Sequence, residues 1–138
     1  METAITELGV TRRFRRVAEA IPATRAFVRR WLPPVDAGDR LVMGAAEAIN
    51  NVIDHADGDH FTVAVDLDGT TGTVTVIDDG PGFDVPAHPT MPGPLDDSHR
   101  GLPMMHVLVD RVVITADSDG TTVVLTQGFA DVARAAVA

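Results

Sequence analysis

Apolar and polar residues recur along this chain with two different periods, and the change of period marks out most of the elements. Thr11 to Val17 reads as a first strand centred on Phe14. Ala18 to Leu32 reads as a helix in which Ala26, Phe27, Arg30 and Trp31 give a mixed face. Pro33 and Pro34 end it, since proline lacks an N–H and clashes with the preceding turn. Asp36 is suited to cap a second helix that runs to about Ala56. With successive residues turning by about 100°, Leu41, Ala45, Ala48, Ile49, Val52 and Ala56 form one broad apolar face of that helix. Asp57, Gly58 and Asp59 then break the chain. From His60 to Leu67 the period shortens to two, with Phe61, Val63, Val65 and Leu67 on one side and Thr62, Ala64 and Asp66 on the other. Asp68-Gly69 and Gly72 signal a tight turn, and Thr73 to Ile77 is the antiparallel return strand.

Between Asp79 and His99 the pattern disappears. Pro81, Pro86, Pro89, Pro92 and Pro94 exclude regular structure, so a long loop is expected. Leu102 to Val109 reads as a short apolar helix. Arg111 to Ala116 and Thr121 to Gln127 read as strands around an Asp117-Ser118-Asp119-Gly120 turn. Gly128 to Ala138 is alanine-rich and reads as a terminal helix. The expected fold class is α+β: a single-domain α/β sandwich, with a mainly antiparallel mixed sheet and helices on one face. A length of 138 residues fits one domain, with a motif-bearing core over about 11–127 and a lid loop over about 84–99.

Composition narrows the function classes. Hydrophobic residues make up 45% and charged residues 22%, as in ordinary globular domains. Absence of cysteine excludes disulfides and thiolate metal sites and suits a cytoplasmic protein. No apolar run is long enough for a membrane span, and METAITELGV lacks the basic start and apolar block of a signal peptide. A net charge of −9 argues against a nucleic-acid partner, because phosphates would be repelled. The basic residues are nevertheless clustered: Arg12, Arg13, Arg15, Arg16, Arg25, Arg29 and Arg30 all lie in the first quarter. They suit either a docking face for an acidic partner or a plain solvated surface.

The second helix carries the first candidate chemistry. Glu47, Asn51 and His55 are spaced i, i+4 and i+8 and drift only about 40° per step, forming a polar line along the border of the apolar face. Glu47 is a candidate general base for water or a hydroxyl. Asn51 offers a neutral oxygen to a hard cation such as Mg²⁺, which keeps waters and shares phosphates. His55 could orient its neighbours or touch a nucleotide edge. An amphipathic helix that happens to carry these residues on its polar side is the plain alternative.

Glycine motifs follow in order. After the strand TVTVI comes Asp78-Asp79-Gly80-Pro81-Gly82-Phe83, an acid at a strand end followed by a G-x-G that permits close backbone approach. Asp78 could accept a hydrogen bond from an adenine amine, or the segment could be a solvated turn. Arg100-Gly101-Leu102-Pro103 opens the short helix, where Gly101 would let N–H groups face phosphate; an ordinary helix start is the alternative. Gly120-Thr121-Thr122 begins the last strand, with the Thr121 hydroxyl at the adenine edge or simply in a hairpin turn.

This succession, E-x-x-x-N-x-x-x-H on a helix, a hairpin, D-x-G-x-G, a proline-rich loop, R-G-L and G-T-T, resembles the GHKL (Bergerat-fold) ATPase superfamily with its N box and three glycine boxes. The resemblance spans about Arg12 to Thr126. The short stretch ahead of the N box leaves too little chain for a dimerising histidine-bearing hairpin, so the chain looks like the bacterial anti-sigma-factor serine kinases. That resemblance implies ATP and Mg²⁺ as cofactors, Glu47 as the catalytic base and Asn51 as the metal ligand. It implies a nucleotide site of Asn51, His55, Asp78, Gly80, Gly82, Arg100, Gly101, Leu102 and Thr121. The implied activity is that of an anti-sigma factor and serine/threonine protein kinase acting on a STAS-type anti-anti-sigma partner. A sigma factor would be the competing partner, and the protein a homodimer. A non-catalytic ATP-binding module that sequesters a signalling partner is the alternative. Pro103 stands where many members have a second glycine, and the lid holds no lysine.

Overall fold

The structure is a computed structural model that describes residues 3–56, 58–78, 101–117 and 120–129, with only the backbone of 101–104 and 117. In chain order the elements are β1 (Thr3–Thr6), β2 (Gly9–Arg15), α1 (Ala20–Arg30), α2 (Asp36–His55), β3 (His60–Asp68), β4 (Thr71–Asp78), α3 (Gly101–Leu108), β5 (Arg111–Asp117) and β6 (Gly120–Gly128). The strands form one sheet in the order β1-β2-β3-β4-β6-β5. Every pairing among the described strands is antiparallel, in keeping with the mainly antiparallel sheet expected.

Alternation along the strands decides which face meets the helices. Arg12, Val63, Val76, Val123 and Ile114 form one cross-strand row, and Val10, Val65, Val74, Leu125 and Val112 the next. Val63, Val65, Val74, Val76, Val123 and Leu125 are all buried and join the core with Leu41, Ala45, Ala48, Ile49 and Val52 of α2. Removing each of these larger side chains from water contributes about 1.5–3 kcal/mol, so this layer dominates the favourable side of folding. Phe14, Phe27 and Phe61 close the other end: Phe14 stacks on Phe61 at 5.7 Å and meets Phe27 edge-on at 5.8 Å.

Several expectations shift at their edges. The strand expected over residues 11–17 is β2, which begins at Gly9 and stops at Arg15, and α1 starts at Ala20 rather than Ala18, because residues 16–19 form a bend and a turn. Asp36 is the first helical residue of α2 and not its cap; Val35 occupies the cap position in extended conformation, with no side-chain capping bond. Asp36 and Asp39 in the first turn still complement the positive end of the helix dipole. Leu67 is exposed where alternation placed it with the core, although its cross-strand partner Gly72 is buried. On the mixed face expected over residues 18–32, Trp31 is 39% exposed, whereas Phe27 is buried. The expected terminal helix and the lid loop lie outside the described residues, apart from Gly128 and Phe129, which continue from β6.

Gly72 of β4 shows how tightly the layers fit. A Cβ there would run into the ring of Phe129, itself fully buried, and lie 3.2 Å from Leu41 Cδ2. Gly72→Ala is therefore expected to destabilise the domain by about 1–3 kcal/mol. Circular dichroism should show the thermal midpoint falling by roughly 3–10 °C. An unchanged midpoint would mean that the Phe129 ring has room to move.

Candidate nucleotide site

The polar line of α2 survives folding. Glu47 and Asn51 are half-buried and His55 is exposed, while the neighbouring Ala48, Ile49 and Val52 are buried. The line therefore runs along the border of the packed face. Gly44 fixes its direction. A Cβ at Gly44 would meet Val109 Cγ1 at 2.9 Å and Leu125 Cδ2 at 3.1 Å, so this point of α2 faces β6 and the end of α3. Asn51 lies seven residues further on, about 20° from Gly44 around the axis, and so shares that direction.

The sheet supplies a second polar group. Asp78 ends β4 at 2% exposure and Thr121 lies near the start of β6 at 1%. Ile77 pairs with Thr122, so the next step of the same antiparallel ladder brings Asp78 and Thr121 opposite each other on one face. That is the helix-covered face, because Asp78 is also in register with Phe61. The hydroxyl of Thr121 is buried and makes no hydrogen bond with the described protein. A buried hydroxyl left this way costs about 1–3 kcal/mol, so the site is under-satisfied in the isolated chain. α2 packs on both β4 and β6, placing its polar line on the elements that carry these two residues.

Gly101 is the first residue of α3, as the R-G-L motif predicts, and Leu102 follows it in the same first turn. Pro103 sits there too, where a missing N–H is tolerated. Gly80, Gly82 and Arg100 lie outside the described residues.

A family model described as histidine kinase-like ATPase domain matches residues 10–127. The chain belongs to this family. A search of curated proteins gave no match. Among solved structures, the ATPase domain is similar to the RsbU and RsbW domains of a Mycobacterium tuberculosis protein, with a TM-score of 0.60 and 22% identity over 86% of this chain. It is also similar to the histidine kinase domain of a blue-light-activated histidine kinase of Erythrobacter litoralis, with a TM-score of 0.51 and 25% identity over 71% of this chain. It spans 32% and 47% of those two chains.

ATP is the ligand this family implies. For a metal accompanying it, the donor set in the ATPase domain is oxygen-based and sparse: Asn51 and Glu47 stand on α2, and no group of three His, Cys, Asp or Glu able to hold a metal occurs among the described residues. That fits Mg²⁺, which takes one or two protein oxygens and completes its shell with water and phosphate, and does not fit a zinc site. No helix among the described residues is long and apolar enough to cross a membrane.

Sequence reasoning missed Arg16, which it counted only as one of several basic residues. Its NH1 donates to the carbonyl of Ile53 at 2.8 Å and its Nε donates to the carbonyl of Gly58. The backbone N–H of Arg16 also donates to Asp59 O at 2.8 Å. One guanidinium thus ties the last turn of α2, between Asn51 and His55, to the loop that follows it. The partners lie 37 and 42 residues away in sequence, and no local pattern signals such a pairing.

Proposed function

We propose that this chain binds MgATP and transfers its γ-phosphoryl group to a serine on a STAS-type anti-anti-sigma partner, and that it alternatively sequesters a sigma factor. The reading rests on one observation above the others: the Asp78 carboxylate and the Thr121 hydroxyl are buried side by side on neighbouring strands, beneath the helix that carries Glu47 and Asn51. A carboxylate accepts from an exocyclic amine and a hydroxyl both donates and accepts, which is the complement of an adenine edge. In this reading Asn51 contributes an oxygen to Mg²⁺, and Glu47 accepts the proton of the attacking serine. His55, Gly80, Gly82, Arg100, Gly101 and Leu102 complete the nucleotide site. When bound, Mg²⁺ neutralises charge on the phosphates. The neighbour that carries a domain named RsbW favours a regulatory kinase over a metabolic one. A cytoplasmic homodimer is part of the same proposal.

Pro103 favours a second reading, a nucleotide-binding module without transfer. It removes one N–H from the first turn of α3, where the phosphates would lie.

Calorimetry with MgATP tests the nucleotide site. Wild type should bind, and Asn51→Ala should weaken binding by about tenfold. Chelating the metal should erase the difference between the two proteins. A folded wild type that takes up no ATP would sink both readings. Binding without any transfer to a STAS-domain serine would leave only the second.

A further inference from the structure

A second site lies at the opposite end of the sheet. Between the β1–β2 edge and the C-terminal half of α1 is a cavity of ≈ 180 Å³, lined by Thr3, Arg12, Phe27, Arg30, Trp31 and alanines of α1. Among the described residues no acidic side chain lines it. The Arg12 guanidinium carbon stands 5.4 Å from the Phe14 ring centroid, and that of Arg30 stands 5.4 Å from the Trp31 ring centroid. Both planar cations are thus braced on aromatic rings with their N–H edges left for a ligand. Among the described residues neither guanidinium makes an ion pair or hydrogen bond, and Arg12 Nε is buried without an acceptor. Arg29, one position away on α1, has its own partner in Asp39 at 2.9 Å. Arg12 stands in a row of core residues facing the helices, where valine would cost less.

We infer that this cavity is a docking site for an acidic peptide segment of a partner protein, a carboxylate side chain entering between Arg12 and Arg30 while a neighbouring apolar side chain lies on Trp31. Charge complementarity selects the carboxylate: two guanidiniums, those of Arg12 and Arg30, line the cavity, and among the described residues no acidic side chain offsets them there. The half-exposed indole selects a peptide over a bare anion, since inorganic phosphate gains nothing from an apolar wall. A second copy docking by two-fold symmetry would bring Arg12 and Arg30 against their own counterparts, which is repulsive. The inference is independent of the ATP reading, because Asp78 and Thr121 stand on β4 and β6, with β3 between them and this edge.

Trp31 is the chain's single tryptophan, so its fluorescence reports on this site directly. A short peptide of alternating glutamate and leucine, titrated into the full chain, should give a saturable change in emission. Its glutamine counterpart should give none. Arg30→Gln, at an exposed position, should weaken binding by about tenfold, and Arg12→Gln with Arg30→Gln should abolish it. The exposed single variant keeps the test open if the double variant fails to fold. No response to the acidic peptide, or an equal response to its glutamine counterpart, would overturn the proposal. So would the same saturation by inorganic phosphate alone, which would make this a simple anion site. Sedimentation showing a dimer that the acidic peptide dissociates would overturn it as well, by assigning the face to a second copy.

Discussion

Glu47→Gln is expected to lower phosphoryl transfer by about a hundredfold or more while leaving MgATP affinity within about threefold of wild type. Glutamine keeps the volume and helix propensity of glutamate but cannot take a proton. Glu47 is half-buried on α2, one turn before Asn51, so the substitution leaves the packed face of the helix untouched. A general base contributes roughly 10²–10⁴-fold. The lower part of that range applies here, because phosphoryl transfer passes through a loose transition state in which positioning and charge stabilisation carry most of the barrier reduction. Single-turnover transfer from labelled ATP to a STAS-domain partner, run beside calorimetry, separates the two quantities. Unchanged turnover would remove Glu47 from the chemistry. A parallel loss of ATP affinity would recast it as a binding residue.

The sequence carried the site's parts more fully than their arrangement. α2 was legible because its apolar residues keep a helical period over about four turns, and all six residues assigned to its inner face are buried. β3, β4, β5 and β6 were legible from alternation and turn residues. β1 was not: Thr3–Thr6 is exposed throughout, with Ile5 at 87%, so no buried face imposed a period on it. Its strand character comes only from pairing with β2. The neighbourhood of Asp78 and Thr121 was equally hidden. Each reads as a polar residue at a strand end, but their adjacency depends on β6 inserting between β4 and β5, which no local pattern encodes. Arg12 is the clearest miss. Among four arginines within five residues of sequence it looked like surface charge, and only the register of β2 turns it toward the helices.

Asp78→Asn tests the adenine end of the site. A carboxylate presents only acceptors, so it welcomes the N6 amine of adenine and repels the O6 oxygen of guanine. Asparagine presents an amide that can turn either way. At 2% exposure little water screens that difference. Loss of the charge-assisted bond is expected to weaken ATP binding by about ten- to a hundredfold, and the preference for ATP over GTP should collapse by at least as much. Competition between the two nucleotides and a fluorescent ATP analogue measures both. The substitution is nearly isosteric and removes a charge from a low-dielectric position, where ionisation is costly. The thermal midpoint of the free protein should therefore stay within roughly 5 °C of wild type. Weakened ATP binding with GTP now competitive, in a protein that melts normally, is the signature of a base-reading carboxylate. Lost affinity for both nucleotides together with a collapsed midpoint would instead make Asp78 a structural residue at the end of β4, and the adenine would have to be read elsewhere.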